Sequence, residues 1–136
     1  MDHPCDEERQ LRSDPRFSEA VALFNRGEWY PCHDGFEALW HEMQGPVRPL
    51  LQGILQIAVA QIHLERGNFR GATVLMGEGL GRLAGREDQL CGLDLLRLRE
   101  AARARLQRLQ TGGSAAQWED LPPLRLSPAG TMGQHL

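Results

Sequence analysis

The chain has 136 residues, 41% hydrophobic and 24% charged, which are the proportions of one globular domain able to bury its own core. No apolar run approaches the roughly 20 residues that span a bilayer. With 15 basic against 18 acidic residues, net −3, nucleic-acid binding driven by bulk charge is excluded. Cys5, Cys32 and Cys91 are too widely spaced for a CxxC pair. An odd, sparse set of this kind suggests reduced thiols and a cytoplasmic setting. The polar N-terminus lacks the apolar stretch of a signal peptide.

Residues 1–13 read as a flexible arm. Ser13-Asp14-Pro15 is a helix-start signal, because Ser13 or Asp14 can cap and proline suits the first helical position. Phe17, Ala20, Val21 and Phe24 then recur at helical spacing over 15–26, and Gly27 stops the run. Pro31 opens a second helix, 31–44, with Cys32, Phe36, Leu39, Trp40 and Met43 on one side. The most apolar segment, 47–65, predicts a central helix in which Gly53 admits a close neighbour. A fourth helix, 69–84, carries Ala72, Leu75, Met76, Leu80 and Leu83, but also Gly71, Gly77, Gly79 and Gly81. Only close packing holds so glycine-rich a helix together. A fifth, Arg-rich helix is predicted over 88–109, on Leu93, Leu96, Ala101, Ala104 and Leu106. Residues 111–136, with prolines and glycines throughout, read as an extended tail that lies across the bundle through Trp118, Leu121 and Leu124. No segment shows period-2 alternation of strand-forming residues. The expected architecture is an all-α compact bundle of about five helices, residues 14–110, built from antiparallel helical hairpins.

Arg26-Gly27-Glu28-Trp29 and Arg66-Gly67-Asn68-Phe69 stand 40 residues apart. Both read Arg-Gly-polar-aromatic between two helices. They fit two hairpins on one plan, or two independent helices that each end at glycine.

Polar stripes interrupt the apolar faces. His33, Glu37 and His41 fall within about 80° on a helical wheel, at the border of the apolar arc. Gln52, Gln56 and His63 fall within about 40° on the next helix. If these helices pack antiparallel, His33 and Glu37 approach the region of His63. Two histidines and a carboxylate at a helix interface suit a divalent metal such as Zn, or a general acid/base pair. The spacing is not a standard one. His33-Asp34-Gly35-Phe36-Glu37 puts Glu where HExxH needs its second histidine, and Glu37 to His41 is one residue too long for Glu-x-x-His. A hydrogen-bonded network that fixes helix register accounts for the same residues.

The stretch from Phe24 to Trp40, FNRGEWYPCHDGFEALW, resembles the signature of the domain of unknown function 309 family, F-N-x-G-x-Y-F-E-x-H-E-x-L-E-x-x-W. Gln52 to Val59 resembles that family's Q-G-L-I-Q-x-A-V run, and Arg66-Gly67-Asn68 with Gly71-Ala72 resembles its R-G-N-x-x-G-A. The resemblance implies an all-α fold and picks out His33, Glu37, Gln52, Gln56, His63 and Asn68 as signature polar residues. It also brings a label, metal-dependent hydrolase, with no assigned reaction. On that label His33, Glu37 and His63 are metal ligands or catalytic groups, and Gln52, Gln56 and Asn68 position substrate or water. The chain departs from the pattern at Pro31, where an acidic residue is usual, at Asp34 in place of Glu, and at Gly35 in place of a larger apolar residue.

Three functional classes follow. One is the metal-dependent hydrolase. Another is a non-enzymatic interaction module that presents its hairpins to a protein partner or a second copy of itself. The third is phosphate tracking by Arg97, Arg99, Arg103, Arg105 and Arg108, disfavoured by the negative net charge and by the lack of interleaved aromatics.

Overall fold

Asp14 starts the bundle as expected: its carboxylate accepts from the Arg16 N–H at 2.9 Å, with Pro15 in the first helical position. The computed structural model describes residues 4–130, with side chains from residue 6 onward. Residues 1–3 and 131–136 of the expected arm and tail, and the Cys5 side chain, lie outside the described residues. Over the described residues the architecture is an all-α bundle of six α-helices, α1 (Pro4–Ser13), α2 (Pro15–Asn25), α3 (Trp29–Glu42), α4 (Val47–Glu65), α5 (Phe69–Leu83) and α6 (Leu95–Gly112), with one short β-hairpin before α6. From α2 to α5 each helix packs on the next in chain order, so α4 lies between α3 and α5. Leu51, Ile54, Ile57 and Ala58 of α4 are wholly buried, beside Phe24, Phe36, Leu39, Met76 and Leu83 from the flanking helices.

Residues 4–13 correct the expectation of a flexible arm. They form α1, anchored by Leu11, which is buried in the core. Burying a leucine stabilises by roughly 1.5–3 kcal/mol. Its two glutamates accept backbone hydrogen bonds, and Asp6 pairs with Arg9 at 3.3 Å. Glu7 takes the N–H groups of Gln44 and Gly45 at 2.9 and 2.8 Å, and Glu8 takes that of Cys91 at 2.9 Å. The second helix also starts earlier than Pro31 suggested. Trp29 is its first residue, and Pro31 stands third, still within the turn whose N–H groups have no helical acceptor.

The two turns at Gly27 and Gly67 are one structure used twice. Arg26 and Arg66 have φ,ψ of −90°,−3° and −90°,0°; Glu28 and Asn68 both have −89°,79°. The glycines between them sit at φ +73° and +77°. Each turn closes by the same bond pair: Glu28 N to Leu23 O and Gly27 N to Phe24 O, then Asn68 N to His63 O and Gly67 N to Leu64 O, all between 2.8 and 3.0 Å. This is the left-handed glycine C-cap that satisfies the last carbonyls of a helix. Hairpins α2–α3 and α4–α5 are therefore built on one plan.

The glycines of α5 divide in the same way. A β-carbon on Gly79 would stand 2.8 Å from the Gly53 carbonyl oxygen, whereas Gly77 and Gly81 face open space. Gly53 and Gly79 are where α4 and α5 cross closely.

The fifth predicted helix is corrected at its start. Residues 89–94 form a hairpin, β1 (Gln89–Leu90) and β2 (Leu93–Asp94), turned by Cys91 and Gly92, both at positive φ. Such a two-residue turn usually carries Asn-Gly or Asp-Gly, so Cys-Gly hid it. Asp94 then caps α6. The buried face of α6 is Leu95, Leu98, Arg99, Ala101, Ala102 and Leu109; Leu96 is exposed. The tail packs as expected through Leu124, and further through Leu126; Trp118 and Leu121 are half-buried. The Asn25 side chain holds Leu126 by two bonds, Nδ2 to its carbonyl at 3.0 Å and Oδ1 from its N–H at 2.8 Å. Beyond it, Pro128 bridges Leu93, and the Ser127 carbonyl accepts from Asp94 N.

Candidate functional site

The signature polar residues fall into separate groups. His33, in the first turns of α3, has Nδ1 at 3.2 Å from Asp34 Oδ1 and Nε2 at 3.7 Å from Glu37 Oε2. Both ring nitrogens thus face carboxylates of the same helix. His63 belongs to the second turn. Asn68 caps α5 by accepting the Gly71 N–H on Oδ1 at 2.9 Å, which leaves its Nδ2 facing His63 Nδ1 at 3.0 Å. An amide nitrogen only donates, so His63 Nδ1 is the acceptor and a neutral ring carries its proton on Nε2. Gln56 bridges α4 to α5: its Nε2 donates to Glu78 at 3.2 Å and its Oε1 accepts from Arg82 at 2.9 Å. Gln52 is half-buried and makes no hydrogen bond among the described residues.

In the structure His33 and Glu37 stay together on α3, and His63 bonds to Asn68 at the α4–α5 turn. Among the described residues no group of three His, Cys, Asp or Glu side chains is placed to hold one. His63 Nδ1 is already occupied by an amide donor, and Asn68, expected to position substrate, is a helix cap. Nor do the thiols supply a nucleophile. Burial pushes both Cys32 and Cys91 up to about 12, and a thiol reacts as thiolate.

The Arg cluster of α6 likewise divides. Arg99 is buried; it pairs with Asp88 and donates to the carbonyls of Leu83 and Glu87, closing the end of α5. Arg108 pairs with Asp120 at 3.0 Å and donates to the Gln117 carbonyl. Of the five, Arg97 and Arg103 are exposed.

A cleft of about 470 Å³ opens at the end of the bundle where both glycine turns lie, walled by the Gly27 turn, the end of α4, α6 and the tail. Two of its polar residues are Gln61, which the sequence pattern did not single out, and Arg105, one of the five arginines of the α6 cluster. Gln61 is 8% exposed, and its Nε2 donates to the Ile57 carbonyl of its own helix. Arg105 donates from Nη2 to the Pro122 carbonyl, and its Nε is buried without an acceptor. Partial burial holds the Arg105 guanidinium below its ordinary value, against the pull of Glu119. One signal for Gln61 was present. It stands seven residues after Ile54 and four after Ile57, in the middle of the apolar arc of α4, where an amide needs a reason.

Residues 17–75 match the family model described as a domain of unknown function (DUF309). No curated protein matches the chain. The matched stretch runs from Phe17 in α2 to Leu75 in α5, so it holds both glycine turns and every signature polar residue. The hairpin, α6 and the tail lie beyond it. The cleft draws on both parts: Trp29, Gln61 and Leu64 from within the DUF309 match, and Arg105, Trp118 and Leu124 from outside it.

Proposed function

We propose that the chain is a non-enzymatic helical interaction module, one domain that includes α1 and the tail, and that it works in the cytoplasm. One observation carries this reading: of the signature polar side chains, Gln56, His63 and Asn68 bond within the α4–α5 hairpin, and His33 and Glu37 stay together on α3, instead of meeting around a reaction centre. Asn68 caps α5 and holds His63, and Gln56 ties α4 to α5 through Glu78 and Arg82. What remains is a rigid scaffold of two like hairpins, an arrangement that stacks helices to present a surface. A reducing compartment agrees with Cys32 and Cys91 as free, buried thiols.

Elemental analysis tests the reading on untagged wild type and His33→Ala, both purified without chelator. The expected result is no stoichiometric metal in either protein. Stoichiometric metal in the wild type, absent from the variant, would restore the hydrolase and make His33 a ligand.

A further inference from the structure

We infer that the cleft between the Gly27 turn, α4, α6 and the tail is a binding site for an N-acylated amino carboxylate with an apolar side chain. The ligand class follows from what the cleft leaves unsatisfied. Arg105 lines it with a guanidinium that has no carboxylate in ion-pair contact among the described residues, although Glu119 pulls on it from farther away; its one bonded acceptor is the Pro122 carbonyl. An arginine so placed calls for an anion, and its planar fork suits a carboxylate. Gln61 lines the same cleft and is more than nine-tenths buried. With Nε2 given to Ile57, its Oε1 has no partner among the described residues. Gln61 is part of the cleft wall, so that unpartnered oxygen asks for an N–H there. Trp29, Leu64, Trp118 and Leu124 supply apolar lining. Carboxylate, N–H donor and apolar body together describe an acylated amino acid. Glu65 adds a negative charge at the same cleft, which favours a ligand with one carboxylate over a ligand with two. The volume, about 470 Å³, lies in the range of small-molecule pockets.

This site stands apart from the interaction-module reading, since a metal enzyme could carry the same cleft; the metal analysis above can fail without touching it. The shared chemistry has two sources, a free acyl amino acid or the C-terminal residue of a polypeptide. The experiment titrates the full chain with N-acetylleucine and with a hexapeptide that ends in leucine. The readout is the indole N–H resonances of Trp29 and Trp118. A saturable shift of both resonances is expected with N-acetylleucine. A charged hydrogen bond contributes enough that the corresponding primary amide should bind about tenfold to hundredfold more weakly. Binding should be lost in Arg105→Met, weakened in Gln61→Leu and partly kept in Arg105→Lys, with helix content unchanged. If the hexapeptide also shifts them, the ligand is a chain terminus; if N-acetylleucine alone does, it is a small acid. No saturable shift with either probe would overturn the proposal. So would equal binding of acid and amide, or undiminished binding in folded Arg105→Met.

Discussion

Replacing the α5 glycines one at a time by alanine tests the packing that makes this helix possible. Each change removes glycine's helix penalty and so gains about 1 kcal/mol. At Gly77 nothing lies within 4 Å of the new β-carbon, so that gain should stand alone. At Gly79 the new atom would meet the Gly53 carbonyl oxygen at 2.8 Å and Ile57 Cγ1 at 2.9 Å. A backbone oxygen cannot swing aside as a side-chain tip can, so the overpacking term belongs in the upper half of its usual range, about 2–3 kcal/mol. After the propensity gain, Gly79→Ala should destabilise by about 1–2 kcal/mol. For a chain of this length 1 kcal/mol moves the melting temperature by roughly 3–4 °C. Thermal unfolding followed by circular dichroism should therefore show Gly77→Ala melting about 3–4 °C higher than wild type and Gly79→Ala about 3–8 °C lower. If Gly79→Ala is as stable as Gly77→Ala, α4 and α5 do not cross at Gly53 and Gly79, and the glycine content of α5 needs another cause.

Gly27→Ala and Gly67→Ala should each destabilise by about 1–2 kcal/mol, because alanine resists the left-handed backbone; urea midpoints that differ by more than this range would count against a shared turn. Asn25→Ala removes both bonds to Leu126. At about 1 kcal/mol per bond, the Leu126 amide should exchange roughly 10–30-fold faster with solvent, and an unchanged rate would mean that the tail is held elsewhere. Arg16 donates to both Asp14 and Glu42 and holds their carboxyls below their ordinary values of 3.8 and 4.5. A lowered folded value adds stability above the ordinary value and loses it as pH falls through the folded one. The melting-temperature gap between wild type and Arg16→Ala should thus be constant near neutrality, narrow below pH 4.5 and close at strongly acid pH. A gap that persists unchanged into strong acid would remove the ion pairs as its cause.

The helices from Pro15 to Leu83 were legible in the sequence because their signals are local. Asp14-Pro15, Gly27, Gly67 and Asn68 act within a few residues, and the apolar positions repeat at the helical period. What escaped depends on partners far along the chain. α1 has one buried leucine, and its glutamates bind N–H groups 37, 38 and 83 residues away; composition registers them only as charge. The hairpin is two residues on each side, too short for alternation to show. On α6 the face was read one position off at Leu96, because Arg99 is buried and a charged residue inside the core breaks the pattern that identifies a face.

The polar stripe was legible as a pattern, but its partners were not. A helical wheel collects polar residues by angle within one helix: His33 and Glu37 share an angle on α3, and Gln56 and His63 share one on α4, but the wheel does not say which side chains meet across helices. Traced bond by bond, Gln56 and His63 answer to side chains within the α4–α5 hairpin, and His33 to carboxylates of its own helix. Asn68 has the same dihedrals as Glu28, yet Glu28 makes no side-chain cap while Asn68 holds the Gly71 N–H, so the asparagine answers to the turn. A group already satisfied by its own fold has little left to offer a ligand. Recognition is better sought where polar atoms lack partners, and Gln61 Oε1 and Arg105 Nε are two such atoms on residues that line one cleft. The wheel set Gln61 among apolar neighbours, where a hydrogen-bonding group is least expected and most informative.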